Sequence, residues 1–123
     1  MRIETGIDIV SIDRIKDKFN NDSHFMHLIF TDNEIEELNS KSRRFQTIAG
    51  RWCAKEAFSK ALGTGFGRHL NWKDVEILSD EDGKPRIHLS REQREELRIK
   101  SISLSISHTK DNAIAVITII LRK

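Results

Sequence analysis

Residues 50–68, GRWCAKEAFSKALGTGFGR, constrain the fold of this chain more than any other stretch. They read as most of a long helix over 45–62, which Gly63, Gly65 and Gly67 end because glycine readily adopts the positive φ of a helix stop. At about 100° per residue, Ala49, Cys53, Glu56 and Lys60 fall on one narrow stripe, flanked by Trp52 and Ala57. Arg51, Lys55 and Ser59 fall on the opposite, outer face. An i,i+4 Glu–Lys pair on an exposed helix contributes only ~0.2–0.5 kcal/mol. Among apolar neighbours the same two charges cost several kcal/mol each unless partners are found. A metal ion and a phosphate are such partners.

The remaining elements arrange themselves around that helix. Residues 3–10, IETGIDIV, read as a strand with Asp8 near its end, and Ser11 stands where it can cap a charged helix over 12–19. TDNE at 31–34 has capping-box spacing ahead of a short helix, EIEELN. VEILSDEDGKPRIHL reads as two strands about the Asp82-Gly83 turn, with Pro85 opening the return strand. SREQREELR repeats the capping-box spacing at Ser90 and Gln93. SISLSISH alternates serine with Ile102, Leu104 and Ile106, the period of a strand with one buried face. AIAVITIIL at 113–121 is apolar on both faces, which predicts a central strand or one lying against another subunit. The expectation is an α+β fold, helices packed on an antiparallel sheet, in a single compact domain over 1–123.

Composition removes several classes of function. The net charge of +2, with basic and acidic residues interleaved, gives no basic stripe for nucleic acid. The most apolar run is too short to cross a bilayer as a helix, and the N-terminus lacks a signal-peptide pattern. The single cysteine, Cys53, permits no intrachain disulfide and reads as small apolar filler. It also rules out a cysteine-based zinc site, and His24, His27, His69, His88 and His108 are too scattered to suggest one. The expectation is a soluble cytoplasmic protein with no nucleic-acid or membrane partner.

Four features remain that can carry chemistry. Glu56 and Lys60 are the first. Asp8 is the second: an aspartate closing a strand serves as a turn or cap residue, or as a hard oxygen ligand. Mg²⁺ takes one or two carboxylates together with water and phosphate oxygens, so Asp8 and Glu56 suffice if the fold joins them. GTGFGR at 63–68 is the third, a helix stop that is neither a Walker loop nor a dinucleotide fingerprint. The fourth is SISHTKDN, where His108, Thr109 and Lys110 either shape a strand end or donate to a phosphate. No G-x-S-x-G nucleophile elbow occurs.

GIDIVSIDRI, followed some forty residues later by RWCAKEAFSKALGTGFGR, resembles the two signature motifs of the holo-[acyl-carrier-protein] synthase family of 4′-phosphopantetheinyl transferases. VEILSDEDGKPRI and SISLSISHTKDNAIAVI resemble the family's later blocks in order and spacing, so the likeness runs over nearly the whole chain. It implies transfer of the phosphopantetheine arm of coenzyme A to a serine of apo acyl carrier protein, with Mg²⁺ and release of adenosine 3′,5′-bisphosphate, in fatty acid biosynthesis. Asp8 and Glu56 match the family's metal ligands, and Lys60 matches the lysine four residues on. The resemblance leaves the general base open, with Glu56 one candidate. It implies coenzyme A contacts at Arg51, Lys60, Gly65, Gly83, Lys84, Pro85, His108 and Thr109, and a homotrimer with active sites between subunits. The acidic carrier would dock on Arg14, Lys16 and Lys18. Here His24 and His27 stand where the family tends to carry further arginine, so docking is expected to weaken or to depend on histidine protonation. The alternative is a non-catalytic coenzyme A or nucleotide sensor on the same fold, which would have no need of the complete Asp8, Glu56 and Lys60 set.

Overall fold

The computed structural model describes residues 1–20, 23–63, 65, 66 and 70–122. Thr64, Gly67 and Arg68 of the glycine-rich stretch read above, and His69 after it, lie outside the described residues. Strand β1 (Arg2–Ser11) leads into α1 (Ile12–Asn20), α2 (Ser23–Ile29), α3 (Asp32–Asn39) and the long α4 (Arg44–Leu62). A 3-10 turn at Trp72–Asp74 precedes β2 (Glu76–Ser79) and β3 (Pro85–His88). Helix α5 (Arg91–Glu96), β4 (Ile99–His108) and β5 (Asn112–Leu121) complete the chain.

The strands form two antiparallel sheets, one in the order β1-β5-β4 and a separate β2-β3 hairpin. The doubly apolar strand is thus central, as its sequence predicts. Ala113, Ala115, Ile117, Ile119 and Leu121 face inward and are buried, and α4 packs across β1 and β5. The opposite face stays open: Ile3, Ile7 and Ile9 on β1 are 56%, 57% and 63% exposed, and Val116 on β5 is 39% exposed. Register pairs Ile7 with Val116 and Ile9 with Ile114 across that face.

Local chemistry sets the helix ends. Thr31 closes a full capping box, its side chain accepting from the Glu34 amide at 3.1 Å while Glu34 Oε1 accepts from the Thr31 amide at 2.9 Å. Ser90 makes its half of the second box, accepting from the Gln93 amide at 3.1 Å. Ser11 accepts from the Arg14 amide at 3.4 Å. Gly63 takes φ 79° as the C-cap of α4, and its N–H donates to the Ser59 and Lys60 carbonyls. Helix α2 was not anticipated from the sequence; its apolar Met26 and Ile29 are buried in one cluster with Phe19, Phe30 and Leu38.

The outer face expected for α4 is not an outer face. Arg51, Lys55 and Ser59 are buried along with Ala49, Cys53, Ala57 and Phe58. The helix has the sheet on one side and α3 with the β2-β3 hairpin on the other, so nearly its whole circumference is covered. Lys55 tolerates burial because Glu34, itself 1% exposed, pairs with it at 2.8 Å. Arg51 does so through Glu37 at 2.7 Å.

The seating of α4 on β1 depends on Gly6. A Cβ built there would run into the Ala57 carbonyl oxygen, with the Ala61 amide nitrogen 2.8 Å away. Both obstacles are helix backbone and cannot swing aside. Gly6→Ala is therefore expected to destabilise the fold by about 2–3 kcal/mol or more, read as a lower midpoint in urea denaturation.

Candidate active site

Close seating of α4 on β1 brings Asp8 beside the last two turns of the helix. Lys60 Nζ donates to Asp8 Oδ1 at 2.9 Å and to the Ile7 carbonyl at 3.1 Å. The Asp8 side chain is 14% exposed and that of Lys60 is 52% exposed, so Lys60 lies at the rim of the site and not within an apolar stripe. Asp8 Oδ2 is buried and has no hydrogen-bond partner among the described residues. Such an oxygen calls for a ligand.

Glu56 faces the same spot. Its carboxyl is pushed above the usual range, first by burial and then by the negative charge of Asp8, while Lys60 and Lys18 pull the other way. Cys53 lies beneath, fully buried, its Sγ 3.6 Å from the Ala113 carbonyl. Burial, with the nearby Asp8 carboxylate, pushes its thiol up to about 12, so it is inert packing at neutral pH.

Two carboxylates, one with an unpartnered oxygen and the other with its pKa raised by burial and by its neighbour's charge, fit a hard divalent cation. Among the described residues no group of three His, Cys, Asp or Glu side chains could hold a metal ion. A pair is what Mg²⁺ needs when substrate phosphate and water supply the other oxygens. Glu56 also opens onto a groove of about 710 Å³, walled by Phe25, Ile29, Trp52 and Trp72, with Lys18 and Lys73 among its polar residues. Trp52 and Trp72 stack at 6.0 Å and 19°, and Phe66 stacks on Trp72 at 4.3 Å.

Of the other candidate residues, Lys18 lines the same groove and Arg51 is buried. Arg51 is 4% exposed, and its guanidinium bonds Glu37, the Ile77 carbonyl and Ser79, which joins α4 to α3 and β2. His108 lies against α4 beside it: a Cβ at Gly50 would stand 2.9 Å from His108 Nε2. Thr109 closes the β4-β5 turn, its Oγ1 accepting from the Asn112 amide at 3.0 Å. Gly83, at φ 83°, and Gly65, at φ 69°, have no atom of the described residues beyond their chain neighbours within 4 Å of where a Cβ would be. Lys84 and Pro85 line a small cleft between β3 and β4, with Ile102 and Leu104 on its far side. Arg14, Lys16 and Lys18 are exposed on α1, and Lys18 Nζ reaches over the Phe25 ring at 4.6 Å.

The sequence reading missed Glu34 and Glu37 as partners of Lys55 and Arg51. A signal was present: two carboxylates at i,i+3 on one helix and two cations at i,i+4 on another make complementary faces.

Comparison with known proteins gives the family. Residues 4–117 match the profile of the 4′-phosphopantetheinyl transferase superfamily. The holo-[acyl-carrier-protein] synthase of Alkaliphilus oremlandii is 46% identical over 113 residues, which is 89% of this chain and 92% of that protein. The Helicobacter pylori holo-[acyl-carrier-protein] synthase, solved in complex with coenzyme A, superposes with a TM-score of 0.85 at 38% identity, covering 94% of this chain and 98% of that one. The Neisseria meningitidis holo-[acyl-carrier-protein] synthase gives 0.86 at 32% identity, over 94% of this chain and 96% of that one. The chain belongs to the 4′-phosphopantetheinyl transferase superfamily and, within it, to the holo-[acyl-carrier-protein] synthases. It is a transferase of that family.

The raised Glu56 pKa has a thermodynamic sign. The folded state holds its proton more tightly than the unfolded chain, so the favourable contribution is complete below the unfolded value and is lost as pH rises through the folded one. Without metal, Glu56→Gln is expected to raise Tm at pH 7, with the gap closing towards pH 4, when both proteins are melted in chelator across that range.

Proposed function

We propose that this protein moves the 4′-phosphopantetheine arm of coenzyme A onto a serine of apo acyl carrier protein, in a Mg²⁺-dependent reaction that releases adenosine 3′,5′-bisphosphate and serves fatty acid biosynthesis. The unpartnered Asp8 Oδ2, set beside Glu56 and Lys60, is the observation that carries this reading. Asp8 and Glu56 would hold the metal, and when bound it supplies Lewis-acid polarisation and charge neutralisation for the pyrophosphate.

The chain's own residues do the rest. The carrier serine hydroxyl attacks the phosphorus that bears the arm, and the bond from that phosphorus to the bridging pyrophosphate oxygen breaks. The nucleotide leaves with the electron pair. Glu56 takes the serine proton directly or through a water, as a carboxylate in reach of the hydroxyl can. Lys60, half exposed at the rim, balances the charge growing on the leaving phosphate. Oriented binding supplies the remainder, since phosphoryl transfer depends chiefly on positioning and charge.

Coenzyme A contacts extend over Gly65, the Gly83–Lys84–Pro85 turn, His108 and Thr109, with Arg51 bracing that surface from below. The acidic carrier docks on Arg14, Lys16 and Lys18 of α1. The open apolar sheet face, with Ile3, Ile7, Ile9 and Val116, suits burial between copies in a homotrimer. The reaction is placed in the cytoplasm, a reducing compartment that suits a lone buried thiol.

Intact-protein mass spectrometry tests the reading. With Mg²⁺, coenzyme A and an apo carrier protein, the carrier is expected to gain the mass of one phosphopantetheine arm. Glu56→Gln, Asp8→Asn or chelator is expected to slow that gain by about a hundredfold or more. A carrier that stays unmodified while coenzyme A binds would replace the transferase reading with a sensor.

A further inference from the structure

We infer that Lys55 is a positioning residue whose ammonium, by bonding the Ile29 and Trp72 carbonyls together, sets the width of the groove that Glu56 faces. The inference rests on the proposed function only in naming the carrier protein as the molecule that enters this groove.

Lys55 Nζ is fully buried and has three hydrogens, each with an acceptor: Glu34 Oε1 at 2.8 Å, the Ile29 carbonyl at 2.8 Å and the Trp72 carbonyl at 3.0 Å. Ile29 ends α2 and Trp72 begins the 3-10 turn, and both residues line the groove. The two walls come from separate parts of the chain, and this ammonium bonds both. Glu34 is in turn fixed by the Thr31 and Ile77 amides at 2.9 and 3.0 Å, so the charge has a rigid counterpart. Glu56 is the next residue on the same helix.

A buried ion pair is a poor source of net stability, because an apolar pair of similar volume often does as well. An apolar pair cannot hold two carbonyls at a set spacing. The exposed end of the groove also meets α1 through Lys18, one of the cations assigned to carrier docking. A change in groove width is therefore felt by the carrier more than by coenzyme A.

The test separates fold from position. Lys55→Met strands the Glu34 carboxylate and lowers Tm. Lys55→Met with Glu34→Gln removes the stranded charge and is expected to recover most of that Tm. In both variants KM for the carrier is expected to stay about tenfold above wild type, with kcat and KM for coenzyme A within about twofold. Both of the chain's tryptophans line the groove, so the emission maximum is expected to shift to the red in both variants without any turnover. Carrier KM returning to wild type together with Tm, or an unmoved emission maximum, overturns the inference. If neither variant folds, Lys55→Arg keeps the charge but spreads its donors in a planar fork. A raised carrier KM there supports the inference and an unchanged one overturns it. Should the wild type show no transfer at all, the functional reading fails and the emission shift alone decides the role of Lys55.

Discussion

Helix α4 reaches β1 at backbone distance only because position 6 carries no side chain. Two residues further along the strand stands Asp8, and one turn further along the helix from the contact at Ala57 stands Lys60. The site is thus a consequence of one close approach: the strand supplies a carboxylate, the helix supplies a second carboxylate and an ammonium, and neither element can form the cluster alone. Cys53, Ala54 and Ala57 keep the helix side of this contact small, while burial and the charge of Asp8 shift Glu56.

The opposite side of α4 is held by charge. Lys55 with Glu34 and Arg51 with Glu37 tie the helix to α3, and through the Ile77 carbonyl, the Ile77 and Ser79 amides and the Ser79 hydroxyl they tie it to β2. All four charged groups are engaged in hydrogen bonds, which is the condition for burying them without a large penalty. One helix therefore presents two kinds of charged pair: a buried and a half-buried one whose charges the protein itself bonds, and one at the rim with an oxygen left over. That difference separates structural charge from functional charge in this fold.

The sequence made the strand periodicities and the Thr31 capping box legible because both are local patterns. It made the Asp8, Glu56 and Lys60 set legible through their spacing and family likeness. Helix α2 was not legible: a seven-residue helix has little intrinsic stability, and its formation depends on Met26 and Ile29 finding the core. The angular projection of α4 marked the small-residue face correctly but took Arg51 and Lys55 for outward residues. Charge marks an outer face only when no opposite charge waits across the interface, and that depends on how α3 packs.

The central claim is that the leftover oxygen of Asp8, together with Glu56, receives a divalent cation. Crystals grown with coenzyme A and Mn²⁺ in place of Mg²⁺, measured for anomalous scattering, test it most directly. The account predicts an anomalous peak between Asp8 and Glu56, absent from crystals of Asp8→Asn. A bound coenzyme A with no peak there, or a peak held by other side chains, would contradict it.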